Sequence, residues 1–169
     1  MQKKTCCFTG HRNILSADRE VIACRLEKTI VELIHAGIDR FVAGGARGFD
    51  TLAAQAVLQL RKRYPDIKLI LALPCLTQTR GWSTKNIAVY ETIKSQADEI
   101  VYISQDYTRG CMYKRNRYLV DSSGICVCFW NREKGGTAYT VHYAEKKGLK
   151  IINIAQPPVY DAEEPEANG

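Results

Sequence analysis

Long apolar runs are missing from this sequence. None reaches the ~18 residues of a membrane span, and Met1-Gln2-Lys3-Lys4-Thr5-Cys6-Cys7-Phe8-Thr9-Gly10 has too short an apolar stretch for a secretory signal. A cytoplasmic chain with no membrane partner is expected. Histidine is scarce, with three scattered residues, and no Cys-x-x-Cys pair occurs, so no metal site is expected. The seven cysteines are odd in number and fall mostly within apolar runs, which points to reduced, packed thiols rather than bridges. No Ser-His-Asp or Cys-His arrangement can be assembled, and no catalytic residue is assigned.

What is present is ordinary for a globular domain. The 169 residues are 46% hydrophobic and 25% charged, enough chain to bury roughly 70% of its unfolded surface without disulfides or a structural metal. Charge is unevenly placed. Residues 156–169 hold Asp161, Glu163, Glu164 and Glu166 and no basic residue, so residues 1–155 carry 24 basic against 14 acidic residues, a charge of +10. Such a body is compatible with a phosphate-bearing partner, nucleotide or nucleic acid, and equally with a solvated basic surface. The last stretch also has three of the five prolines and no hydrophobic period. A single domain over 1–155 and a disordered acidic tail over 156–169 follow.

Within the body, short apolar runs alternate with helical periods. The runs 5–9, 40–43, 68–73, 99–103, 125–130 and 150–154 read as six buried parallel strands. Between them, Ile22, Leu26, Ile30, Leu33 and Ile34 share a helical face, with Ser16 as N-cap and Gly37 as stop. Leu52, Ala53, Ala56, Val57 and Leu60 form a second helix, ended by Tyr64-Pro65. Further helices lie around Ile87, Tyr90, Ile93 and Ala97, from Met112 to Asp121, and from Thr137 to Lys147 before Gly148. Strand-helix-strand repeats with short connections require right-handed crossovers and helices on both faces of a parallel sheet. The fold class is therefore α/β, a Rossmann-like three-layer sandwich.

Ligands of such sheets bind beyond the carboxyl ends of the strands. Three glycine-bearing turns share that edge: Gly10-His11-Arg12, Gly44-Gly45-Ala46-Arg47-Gly48-Phe49-Asp50, and Trp130-Asn131-Arg132 running into Gly135-Gly136-Thr137. Each alone is explained by a tight strand-to-helix turn; their coincidence on one edge points to a phosphate or ribose pocket. The second turn lacks both the Gly-x-Gly-x-x-Gly order and the Walker Lys-Ser/Thr, which argues against standard NAD dehydrogenases and P-loop ATPases. Asp50 serves as a helix cap or as acceptor for a ligand hydroxyl. Arg115, with Met112 and Leu119 at i−3 and i+4, lies on an inward helical face, either snorkelling or paired with an anion; Asn116 and Asp121 are candidate partners. His11 is a general-base candidate, or a turn histidine with one backbone hydrogen bond.

At these residues the chain resembles the SLOG superfamily, most closely its YpsA-like branch. Phe8-Thr9-Gly10-His11-Arg12, Gly44 to Asp50, Gln78 with Trp82, Tyr113-Lys114-Arg115-Asn116-Arg117 leading to Val120-Asp121, and Gly135-Gly136-Thr137 follow in the order of that branch, across residues 5–154. The resemblance implies a Rossmann-like domain binding a nucleotide or nucleotide-derived ligand such as ADP-ribose or a related NAD product. Carried over residue by residue, Gly10, His11, Arg12, Gly44, Gly45, Arg47, Gly48, Asp50, Arg115, Asn116, Gly135, Gly136 and Thr137 would line the site. Relatives often dimerise, so a homodimer is compatible.

Two related families point elsewhere. The LOG phosphoribohydrolases cleave the base-ribose bond of nucleoside monophosphates with an arginine to which Arg115 is similar, and a glutamate after a Gly-Gly-x-Gly-Thr loop. Here that loop is Gly135-Gly136-Thr137-Ala138-Tyr139-Thr140, without the carboxylate that glycosidic hydrolysis needs; Asp50 or Asp121 would have to replace it. The DNA-processing protein A family has a similar Gly-Gly-Ala-Arg-Gly turn and binds single-stranded DNA. Tyr107, Arg109, Tyr113, Lys114, Arg117 and Tyr118 form one candidate basic and aromatic cluster for that partner, or a solvated surface. The leading expectation is a nucleotide-ligand sensor or sequestering module. A nucleoside-monophosphate N-glycosidase and a single-stranded DNA accessory protein are the alternatives.

Overall fold

A computed structural model describes residues 4–131 and 134–155. The tail expected over 156–169, and Arg132 of the third turn, lie outside the described residues. Among the described residues six strands, β1 (Thr5–Gly10), β2 (Arg40–Ala43), β3 (Lys68–Leu73), β4 (Glu99–Tyr102), β5 (Ile125–Phe129) and β6 (Lys150–Asn153), alternate with five helices. The helices are α1 (Ser16–His35), α2 (Phe49–Arg61), α3 (Thr84–Gln96), α4 (Cys111–Asp121) and α5 (Gly136–Lys146). Every strand pairing is parallel, in the order β4-β3-β2-β1-β5-β6. This is the Rossmann-like α/β sheet read from the sequence, with boundaries displaced by a residue or two.

Alternation along the strands builds the three layers. Cys6 and Phe8 of β1, Phe41 of β2 and Leu69, Leu71 and Leu73 of β3 pack against Ile22, Leu26 and Ile30 of α1, Ala53 and Val57 of α2, and Tyr90 and Ile93 of α3. Their neighbours Cys7, Val42, Ile70, Ala72, Cys126 and Cys128 turn to the opposite face, under Leu119 and Val120 of α4 and Val141 and Ala144 of α5. Both faces of the central strands are therefore apolar, which is why those segments read as continuous runs.

Two expectations are corrected. The fourth run was expected to be a buried strand, yet Ile100 and Tyr102 of β4 are exposed. β4 is bonded only to β3, and α4 and α5 sit over β1, β3, β5 and β6, leaving one face of this edge strand uncovered. Ser16 does not cap α1 from outside; it is the first helical residue, after extended Leu15, and no side chain caps this end. Ser83 does cap α3, its Oγ accepting from the Asn86 amide at 3.1 Å.

The strand order locates the crevice. From β1 the chain lays down β2, β3 and β4 on one side, then returns to place β5 and β6 on the other. The loops leaving β1 and β5 diverge to opposite faces of the sheet, which opens a gap at their carboxyl ends. There Thr9 lies beside Cys128 and Gly10 beside Phe129.

Candidate functional site

A cavity of about 420 Å³ occupies this switch point, lined by Thr9 to Asn13 at the end of β1 and just beyond it, Ala46 of the turn before α2, Asp50 in its first turn, Met112, Tyr113, Arg115, Asn116 and Leu119 of α4, and Lys134 to Thr137 entering α5. A buried aromatic cluster packs behind Gly10 of this lining. Phe49 stacks on Phe129 at 6.0 Å and meets Phe8 edge-on at 6.4 Å, contacts worth about 1 kcal/mol each beyond their buried area. The Phe49 amide donates to the His11 carbonyl at 3.1 Å, so the turns after β1 and β2 are joined to each other.

Arg115 is 4% exposed, and the inward placement read from its helical spacing is correct. It does not snorkel. Its Nε donates to Asn116 Oδ1 at 2.8 Å, its Nη1 donates to the Gly44 carbonyl, and its Nη2 lies 3.8 Å from Met112 Sδ. Asp50, 6% exposed, supplies the nearby negative charge; burial lowers the Arg115 pKa and the Asp50 charge opposes that. Asp121 is engaged elsewhere, accepting from Tyr143 Oη at 2.8 Å, and does not line the cavity. Burial pushes the Asp50 carboxyl up to about 6, against the pull of Arg115, the Ala46 amide and Arg12. Asp50 Oδ2 accepts from the Ala46 amide at 3.2 Å, so this carboxylate ties down the loop before its helix rather than the first helical amides.

The glycines divide into two kinds. A Cβ on Gly44 would lie 2.6 Å from Arg115 Nη1 and 3.0 Å from Asp50 Oδ2, so a glycine is what lets both side chains close on the β2 turn. Gly48, at φ +76°, would place a Cβ 2.2 Å from the Arg12 carbonyl. At Gly135 and Gly136 the space is open among the described residues: none of their atoms lies within 4 Å of a Cβ at Gly135, and only Asn116 Nδ2, at 3.9 Å, at Gly136. Protein packing accounts for the first pair, while the second pair leaves the amino end of α5 open to the cavity.

Of the residues read from the sequence, Gly10, His11, Arg12, Asp50, Arg115, Asn116, Gly135, Gly136 and Thr137 converge on one cavity. Gly44 and Gly45 do not line it; they sit behind Arg115 and against Leu73. Arg47 and Gly48 open instead onto an adjoining cavity of about 540 Å³ that shares only Arg12 and Asn13 with the first. His11 Nε2 accepts from the Asn131 amide at 3.1 Å, the backbone bond that was the alternative to a general base. Lys134, Tyr113 and Met112 were missed as lining residues. Lys134 adjoins the Gly135-Gly136 pair and was legible there; Tyr113 and Met112 enter only because α4 packs across the crevice. Of the basic and aromatic cluster, Arg109, Tyr113, Lys114 and Arg117 share a shallow groove with Tyr139, and Arg117 donates to Tyr139 Oη at 2.9 Å. Tyr107 and Tyr118 lie outside that groove.

The UPF0398 protein of Bacillus thuringiensis (strain Al Hakam) is 29% identical over 155 residues, covering 86% of this chain and 84% of the relative. The SPbeta prophage-derived protein YoqJ of Bacillus subtilis (strain 168) is 33% identical over 122 residues, 65% of this chain and 71% of the relative. In fold, the chain is similar to DNA processing protein A from Helicobacter pylori, described for its single-stranded DNA binding mode, with TM-score 0.61 and 20% identity over 89% of this chain. It is also similar to DNA processing protein A from Streptococcus pneumoniae, with TM-score 0.64 and 15% identity over 88% of this chain. The chain spans 64% and 49% of those two proteins. Residues 6–155, all but the two ends, match the YspA SLOG family, and the chain belongs to that family.

Proposed function

We propose that the chain binds a nucleotide or nucleotide-derived small molecule, of the ADP-ribose or NAD-product kind, in the switch-point cavity, and serves as a sensor or sequestering module. The observation that carries this reading is the open glycine pair at the amino end of α5, facing a buried arginine and carboxyl across one cavity. Backbone amides at Gly136 and Thr137 and the Arg12 guanidinium suit a phosphate. Asp50 suits a ribose hydroxyl, and the Arg115 N–H groups not used by Gly44 and Asn116 suit a further acceptor. Family membership and the fold shared with DNA processing protein A support a nucleotide-related ligand.

A thermal-shift panel with AMP, ADP-ribose, NAD and a short single-stranded oligonucleotide tests the reading on the wild type and Gly136→Val. A ligand at about a hundred times its dissociation constant adds roughly 2.7 kcal/mol, which is several degrees for a chain of this size. Gly136→Val should melt like the wild type when free, because the new side chain enters open space, and should lose the shift. Equal shifts in both proteins, or no shift with any nucleotide, would overturn the reading. A shift with the oligonucleotide alone would move the function toward the single-stranded DNA binding described for the Helicobacter pylori protein.

One observation favours hydrolysis as a second reading. Asp50, held at about 6, lines the cavity beside Arg115. A carboxyl of that pKa is suited to general acid or base work near neutral pH. Release of free base from a nucleoside monophosphate, abolished in Asp50→Asn, would establish an N-glycosidase; intact monophosphates after prolonged incubation leave the binding module.

A further inference from the structure

The adjoining cavity of about 540 Å³ is lined by Arg12, Asn13, Ile14, Arg19, Arg47, Gly48, Thr51, Gln55, Trp82, Lys85, Asn86 and Val89. Four of these are cations and none is a carboxylate. Among the described residues, the ion pairs join Arg40 to Glu99, Arg61 to Asp98, Arg63 to Glu27 and His142 to Glu145. Arg12, Arg19, Arg47 and Lys85 take part in none of them. Four like charges around one concavity repel each other, and no acidic side chain of the cavity wall offsets the repulsion.

The wall is also built rather than loose. The Arg47 guanidinium lies over the Trp82 ring at 4.9 Å, and Trp82 is itself held edge-on by Tyr90 at 5.5 Å. Stacking on an indole fixes the guanidinium without consuming its N–H fork. The cavity is bordered by the opening turns of three helices: Arg19 of α1, Thr51 of α2, and Lys85 and Asn86 of α3. Their amino ends carry partial positive charge of the same sign as the side chains. Thr51, Gln55 and Asn86 add neutral hydrogen-bonding groups. Arg12 and Asn13 belong to both cavities, so the two adjoin at a cation.

From this arrangement we infer that the second cavity is a phosphate subsite, and that the ligand of the first cavity is a nucleotide extended by further phosphoryl groups that pass Arg12 and reach Arg19, Arg47 and Lys85. The inference rests on the nucleotide reading of the switch-point cavity. A neutral or singly phosphorylated ligand leaves Arg19, Arg47 and Lys85 unanswered, whereas a phosphate chain supplies the anionic oxygens that they are placed to bind.

Isothermal titration in metal-free buffer, with AMP, ATP and inorganic tripolyphosphate, tests it on the wild type and on Arg19→Gln/Lys85→Gln. Both replaced side chains are exposed, and unchanged melting confirms that the variant is folded. The wild type should bind ATP at least tenfold more tightly than AMP, with the advantage shrinking as salt is raised. In the double variant the ATP advantage should fall below threefold, while the AMP affinity stays within twofold. If ATP gains nothing over AMP in the wild type, or keeps its gain in the variant, the phosphate subsite is overturned and the nucleotide reading stands. If tripolyphosphate binds and loses affinity in the variant while neither nucleotide binds, the subsite stands and the nucleotide reading fails. Silence from all three ligands overturns both.

Discussion

The carboxyl pKa values of Asp50 and Asp98 are shifted in opposite directions. At Asp98 burial alone would raise the pKa, but the Leu69 amide and the Arg61 ion pair outweigh it and the carboxyl is lowered. Its contribution to stability is present above the unfolded value and is lost as pH falls. At Asp50 burial prevails and the pKa rises from 3.8 to about 6. The native state then binds more protons than the unfolded chain between these two values, so the Asp50 contribution is full below the unfolded pKa and is lost as pH rises through about 6. A shift of this size corresponds to roughly 3 kcal/mol. The stability of the wild type minus that of Asp50→Asn, measured by urea unfolding, should therefore fall by an amount of that order between pH 4 and pH 7. A difference that is flat across this window would refute the assignment. The sequence showed an acidic residue in the first turn of a helix and left open a cap or a ligand contact. It could not show the raised pKa, because that arises from burial beside Arg115, a residue 65 positions away.

The turn before α2 is the element whose geometry tolerates least. Gly48 combines φ +76° with a 2.2 Å approach of its would-be Cβ to the Arg12 carbonyl, and a backbone oxygen cannot swing aside as a side-chain tip can. Gly48→Ala should cost about 1–3 kcal/mol or more in urea unfolding and separate the β1 and β2 turns. A loss of under ~0.5 kcal/mol, within the range of an ordinary surface substitution, would show that the turn relaxes. At the level of elements the sequence was highly legible. Ile22, Leu26, Ile30 and Leu33 are the buried face of α1, as their spacing required. The exceptions were local. Leu15 rather than Ser16 precedes α1, since nothing in the periodicity fixes which residue last keeps an extended backbone. β4 was read as buried because Ile100, Val101 and Tyr102 are apolar or aromatic, but an edge position is decided by what packs on the sheet, not by the strand's own residues.

Across the whole molecule, six of the seven cysteines are buried, Cys6 on one sheet face, Cys7, Cys126 and Cys128 on the other, Cys75 after β3 and Cys111 at the start of α4, and Cys24 of α1 is exposed. Burial also raises the Cys6 thiol well above its usual value and the Cys128 thiol up to about 12. Native protein treated with a thiol reagent should therefore modify one cysteine rapidly, lost in Cys24→Ser, and seven after denaturation. Fast modification of several thiols in the native state would contradict the three-layer packing. The packing of most of these cysteines was legible from their apolar surroundings, as were the α/β class and the sharing of one sheet edge by the glycine turns. Those properties follow from local period and from the handedness of crossover connections, which every strand-helix-strand unit obeys. Strand order does not. Only the tertiary structure decided that β1 and β5 are neighbours, that Gly135 and Gly136 open onto a cavity while Gly44 and Gly48 are filled by protein, and that Arg47 faces a second cavity with Arg19 and Lys85. Each of these depends on which distant segments pack together, and the energies that select among packings are summed over the whole core rather than written at any one position.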